Sequence, residues 1–213
     1  MVSSVLSLED IRRELAAHEP RSVGETGGPR AAVALILHET GSGLELLFIE
    51  RARCPGDPWS GHMAFPGGRV DPGDPSSRAA AERETREEVG LSLDSTDYLG
   101  HLNDLEGRPD HDPKGIVISA YIYHVLEPET PVPNAEVETA FWFPIEDLFD
   151  PDRHVEHWYS AAGEMPFPGI LVGEPGRHVV WGLTYRFLDM FLAAVGRPLP
   201  DRWAPFRGFR GNS

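Results

Sequence analysis

Three glutamates at 84, 87 and 88 carry the strongest chemical signal in this chain. They stand in Ser77–Val89, a run without Gly or Pro and rich in Ala, Glu and Arg, which predicts a helix. At about 100° per residue, spacings of three and four put all three carboxylates on one face. Ala81, Thr85 and Val89 recur every four residues and form an adjacent stripe able to pack on a sheet. Carboxylates so close repel unless something neutralises them. One reading is a solvated helix with Arg83 and Arg86 relieving the charge. The other is a site for a hard divalent cation such as Mg²⁺ or Mn²⁺, which takes oxygen ligands and bridges them to phosphates. Gly67-Gly68, just before the helix, permits close backbone approach.

The elements that would position this helix are legible from patterning. Ala31–Leu37 and Glu45–Glu50 are apolar runs joined by a Gly-rich turn, which predicts a hairpin in a buried sheet. Met63–Gly68 reads as a short strand entering a tight turn. Tyr98–Asn103, Ile116–Val125 and Val137–Phe143 are further strands, with a charged loop between the first two and a short turn or helix over Pro144–Leu148. Residues 150–176 read as loop-rich, with short strands near His157–Tyr159 and Gly169–Val172, and Val179-Val180 finishing another. Ser76 or Ser77 caps the glutamate helix and Gly90 ends it. A helix over Leu183–Val195 and a short N-terminal one over Leu8–His18, capped by Ser7, complete the set. Interleaved strands and helices with several hairpins predict an α/β fold, an α/β/α sandwich around a mixed sheet. The expected division is an N-terminal helix and connector over 1–29, a main domain over 30–197 and an irregular tail over 198–213.

Composition narrows the partners. The chain has 213 residues, a net charge of −15 and one cysteine, Cys54. The excess of acid argues against a non-specific nucleic-acid binder and against docking on anionic lipid. It does not exclude an anionic small molecule, because a bound cation inverts the local field. One cysteine forms no intramolecular disulfide or cysteine metal cluster and fits a reducing cytosol. No apolar run reaches membrane-spanning length, and the N-terminus lacks a signal-peptide core.

The string Arg83-Glu84-Thr85-Arg86-Glu87-Glu88-Val89-Gly90-Leu91 resembles the second half of the Nudix box, the signature of the Nudix hydrolases, with Thr85 in place of the usual aliphatic residue. The first half departs. Five residues separate Gly68 from Asp74, which stands where the pattern has Glu, and eight residues rather than seven separate Asp74 from Arg83. A shorter acid with one extra residue is similar to the coenzyme A branch of the family. Arg51-Ala52, Gly61 and Phe65-Pro66-Gly67-Gly68 resemble that branch's preceding motif, and so does Trp181-Gly-Leu-Thr184 with its apolar helix. The motif is only partly kept: Leu46-Leu47 is one residue too far from Arg51, and the second arginine falls on Asp57.

The resemblance implies the Nudix fold and attack of water on a diphosphate linked to another moiety. It implies Mg²⁺ or Mn²⁺ held by Glu84, Glu87 and Glu88 with the Gly68 carbonyl region, Glu87 or Glu88 alternatively orienting the water, and Arg83 pairing with a box carboxylate. The general base is open among Glu136, Glu138, His111 and Asp112. Arg51, Arg53, Arg69 and Arg108 are candidates for phosphate contact. Trp59, Phe65, Trp142, Trp158 and Trp181 are candidates to stack on adenine, although strand aromatics are more often core. Asp104, Asp110 and Asp112 do not match a calcium loop. The expected substrate is coenzyme A or an acyl derivative, cleaved to phosphopantetheine and adenosine 3′,5′-bisphosphate. ADP-ribose or another nucleoside diphosphate conjugate is the alternative, and a Nudix-fold binding module without turnover is the alternative of a different class. The sequence does not fix the oligomeric state; a homodimer through the N-terminal helix or the tail is one arrangement the resemblance allows.

Overall fold

The computed structural model describes residues 6–24, 28–55, 59–93, 97–107, 115–158 and 166–200. Helix α1 covers Leu8–Ala17. The long hairpin is β1 (Arg30–Thr40) and β2 (Gly43–Arg51), turning between Thr40 and Gly43. Two short strands follow, β3 (Met63–Ala64) against β2 and β4 (Gly67–Arg69) against β1. The glutamate helix is α2, Ser77–Val89. Strands β5 (Asp97–His101), β6 (Leu105–Gly107), β7 (Ile116–Val125) and β8 (Val137–Pro144) complete an eight-stranded sheet among the described residues. A 3₁₀ turn covers Ile145–Phe149. A second, three-stranded sheet holds β9 (His154–Trp158), β10 (Pro166–Leu171) and β11 (Val179–Val180) before α3, Gly182–Ala194.

The large sheet is mixed. Strand β1 pairs in parallel with β7 and antiparallel with β2 and β4. Residue parity along β1 sorts the core: Ala32, Ala34 and Ile36 pack toward Ala80, Ala81 and Val89 of α2, whereas Leu35 and Leu37 share a cluster with Tyr185, Leu188 and Phe191 of α3. Helices thus cover both faces of the sheet. The small side chains of β1 and α2 let that helix approach closely. The apolar face of α1, Ile11 and Leu15, joins the α3-side core. It is therefore occupied within the chain.

Two sequence expectations change, and the alternative left open at the cap is decided. Strand β6 occupies part of the stretch expected to be a charged loop, because Leu105 faces the core while Glu106 points out. Gly169–Val172 proves to be the end of a strand that begins at Pro166. Ser76, not Ser77, caps α2: its hydroxyl accepts from the Ala79 amide at 3.1 Å. The Ser77 hydroxyl instead meets Tyr121 Oη at 2.7 Å. Gly90 closes α2 in the left-handed conformation at φ 75°. Thr85, where an aliphatic residue was expected, is fully buried and donates to the Ala81 carbonyl at 2.7 Å, which satisfies its hydroxyl inside the helix.

Candidate active site

Helix α2 lies against β1 and β4, and this contact places its carboxylates. Glu88 is 1 % exposed. Its Oε2 accepts the Gly67 amide at 2.8 Å, and Arg51 Nη1 stands 3.9 Å from its Oε1. Burial raises the Glu88 carboxyl to about 7; the Gly67 amide and the Arg51 charge oppose the rise, and the charges of Glu84 and Glu136 add to it. Glu84 is held above the usual carboxylate range, chiefly by burial, with Glu87 and Glu136 contributing. Glu136 therefore shares one electrostatic neighbourhood with Glu84 and Glu88, although it comes from the loop before β8. That loop is docked on the end of α2: Val132 N donates to Val89 O at 2.8 Å and Asn134 N to Glu88 O at 2.9 Å.

Glycine is required at two places here. Gly67 has φ 151°, and a β-carbon there would strike the β1 backbone at Ala32 and Val33. A β-carbon on Gly68 would stand 2.5 Å from the Glu84 carboxylate. The two glycines therefore let α2 lay its carboxylates directly on the β4 backbone.

Arg83 organises the outer side. Its Nε and Nη2 grip Asp74 bidentately, each at 3.0 Å, and Nη2 also donates to the Arg69 carbonyl at 3.1 Å. Its Nη1 reaches Glu84 Oε1 and Glu87 Oε2, both at 3.0 Å. The Asp74 hydrogen bonds come first among the causes that push the Arg83 pKa upward, and they hold Asp74 below the usual carboxylate range. Asp74, the residue that departs from the family pattern, is thus the principal carboxylate partner of Arg83.

The remaining candidates fall in different places. Glu87 is half exposed, and the Arg69 side chain is exposed. The Trp59 carbonyl accepts the His62 amide at 3.1 Å in the turn beside β3. The Phe65 ring, a candidate for substrate contact, points inward. It is 2 % exposed and stacked on Phe48 with ring centroids 5.2 Å apart, so it is a core ring. Trp142 packs against the α2-side core, Trp158 is largely exposed, and Trp181 packs on His157 with centroids 4.5 Å apart. Glu138 pairs with Arg177 at 3.8 Å. Asp57, Arg108, Asp110, His111 and Asp112 lie outside the described residues.

Sequence reasoning missed Glu50, a carboxylate 2 % exposed on β2. Arg177 binds both of its oxygens, at 2.7 to 3.1 Å. His178 accepts the Glu174 amide on Nδ1 and brings Nε2 to 3.4 Å from Glu50. The one available signal was a Glu directly after the apolar run Leu46–Ile49.

The arrangement suits a hard cation in donor type and charge. Glu84, Glu88 and Glu136 are oxygen donors whose negative charges oppose one another, and glycine backbone lies against Glu84. It is not a finished cage: among the described residues no three His, Cys, Asp or Glu side chains converge as a metal site. Glu88 is turned onto the Gly67 amide, and Glu84 and Glu87 onto Arg83.

A model of the NUDIX domain matches residues 28–162, more than half of the chain. The chain belongs to the Nudix family. Over 200 residues this Nudix chain is 35 % identical to the uncharacterized Nudix hydrolase NudL of Citrobacter koseri, covering 92 % of this chain and 98 % of that protein. It is 33 % identical over 127 residues to the mitochondrial coenzyme A diphosphatase NUDT8 of Homo sapiens, covering 58 % of this chain and 51 % of the relative. Among solved structures, an Ap4A hydrolase binary complex from C. elegans aligns at TM-score 0.48 and 22 % identity, over 56 % of this chain and 82 % of that one. The Nudix chain spans about half the length of several curated relatives it matches, human NUDT8 among them. No helix among its described residues is long and apolar enough to cross a membrane.

Proposed function

We propose that this Nudix chain is a divalent-metal-dependent diphosphatase acting on coenzyme A or its acyl derivatives. One observation carries the reading. Buried Glu88 and half-buried Glu84 sit on glycine backbone with Arg51 beside Glu88, and the charge of exposed Glu136 adds to theirs. Such a group is costly unless a cation offsets it.

In this reading Glu84, Glu87 and Glu88, with the Gly68 carbonyl, hold Mg²⁺ or Mn²⁺. When bound, the metal offsets diphosphate charge and acidifies water. Arg51 and Arg69 meet phosphate oxygens, and Trp59 borders the pocket. Glu136 takes the proton of the attacking water, and Arg83 fixes the rotamers of Glu84 and Glu87. Water adds across the phosphoric anhydride, and each product takes one phosphate of the cleaved diphosphate, the nucleotide product keeping its 3′-phosphate as well. The names of the human and mouse coenzyme A diphosphatases support this substrate. The departures from the branch motif at Leu46-Leu47 and Asp57 leave ADP-ribose or a related conjugate as the second reading. One exposed thiol, Cys54, fits a reducing compartment such as the cytosol.

The test is a panel of coenzyme A, acyl-coenzyme A, ADP-ribose and dinucleoside polyphosphates with Mg²⁺ or Mn²⁺, with products separated by chromatography. Adenosine 3′,5′-bisphosphate should appear from coenzyme A. Preference for ADP-ribose overturns the substrate, and cleavage of nothing overturns the enzyme.

A further inference from the structure

We propose that Arg177 is a positioning residue for the carboxylate site, acting through a β-bulge; this rests on the reading that Glu84 and Glu88 hold a divalent cation. Strands β2 and β8 slip register at one point. Glu50 pairs with Thr139, but Arg51 pairs with Val137, which leaves Glu138 as the extra residue. Bulges bend a strand and re-aim its side chains, and they gather beside active sites. Here the residues next to the slip are those that face Glu88. Arg51 follows Glu50, and Glu136 precedes Val137. The Ala52 amide donates to the Glu136 carbonyl at 2.8 Å, so the strands stay tied beyond the bulge.

Arg177 holds this irregularity from outside the large sheet. It lies in the turn between β10 and β11, far away in sequence. Its guanidinium binds buried Glu50 through three contacts and stands 3.8 Å from Glu138. One planar fork thus spans the strand residue and the extra residue of the same bulge, a geometry that lysine cannot reproduce. Residues that orient a site from behind typically change metal affinity about 10- to 100-fold when removed.

The experiment measures binding of Mn²⁺ alone to the full chain by calorimetry, alongside thermal unfolding. Wild type, Arg177→Met, Arg177→Lys, Glu50→Gln and Arg197→Met are compared. Arg197→Met breaks the Arg197–Glu146 pair after α3 and controls for general destabilisation. Arg177→Met is expected to weaken Mn²⁺ by about tenfold or more. Arg177→Lys should recover melting temperature but not affinity, and Arg197→Met should bind Mn²⁺ as wild type does. If Arg177→Met does not fold, Glu50→Gln carries the comparison with the same expected loss. Wild-type affinity in the folded Arg177→Met variant, or in Glu50→Gln if that is the variant that folds, overturns the inference. So does a loss in Arg197→Met that tracks stability. Failure of the wild type to bind Mn²⁺, or binding untouched by Glu84→Gln and Glu88→Gln together, overturns the underlying cation reading instead.

Discussion

The backbone amide of Gly67 donates a 2.8 Å hydrogen bond to the carboxylate of Glu88, 21 residues along the chain. The start of strand β4 thereby grips the last turn of the helix.

Glu88 makes stability depend on pH. Burial lifts its carboxyl from the ordinary 4.5 to about 7. A carboxyl raised on folding stabilises the native state below its unfolded pKa and loses that contribution as pH rises through its folded pKa. Metal-free protein should therefore lose stability between pH 4.5 and 7, by up to about 3 kcal/mol. Denaturant unfolding across this window checks it. Glu88→Gln should flatten the slope, and excess Mn²⁺ should oppose the loss at pH 7.

Gly68→Ala tests the close approach. Its β-carbon would occupy the place of the Glu84 carboxylate, so that side chain must swing away. The variant is expected to fold, to bind Mn²⁺ about tenfold or more weakly, and to lose diphosphatase turnover. Gly67→Ala should be harsher, because its β-carbon meets β1 backbone at a φ of 151°. Unfolding curves beside metal titrations separate the two.

Arg83→Lys should lose the bidentate grip on Asp74 while keeping the charge. We expect a stability loss of about 1–3 kcal/mol and a fall in kcat. Asp74→Asn should reproduce most of the stability change. A double-mutant cycle in urea measures the coupling, and additive losses would remove the pair from this account.

Phe65→Leu separates core from pocket. A ring stacked on Phe48 should cost about 1–3 kcal/mol when shortened, with KM for the diphosphate substrate unchanged. A raised KM in a stable variant would return Phe65 to the substrate.

The helix bearing the glutamates was legible because its signals are local: a Gly- and Pro-free run, a serine cap and a terminal glycine within fifteen residues. The β1–β2 hairpin was legible for the same reason. The grip of Arg177 on Glu50 was not, since 127 residues separate them and nothing near either one names the other. The burial of Phe65 was not legible, because its motif neighbours, Gly67 and Gly68, border the carboxylates. Met63 and Phe65 both lie in the core, and the two-residue strand Met63–Ala64 is too short for sequence periodicity to reveal this. The meeting of Glu136 with Glu84 and Glu88 depends on the loop folded over the end of α2, a tertiary contact invisible in composition.

Strand β1 carries the α2-side core residues and pairs in parallel with β7, each partner 87 residues away, as in His38 with Val125. Closing so long a loop is entropically costly and slows folding. A chain emerging from synthesis can form the hairpin and the glutamate helix early, but the floor beneath them is completed only after Val125 has been made. The carboxylates acquire their buried setting last, so a partly folded chain carries the Nudix box as an ordinary hydrated acidic helix.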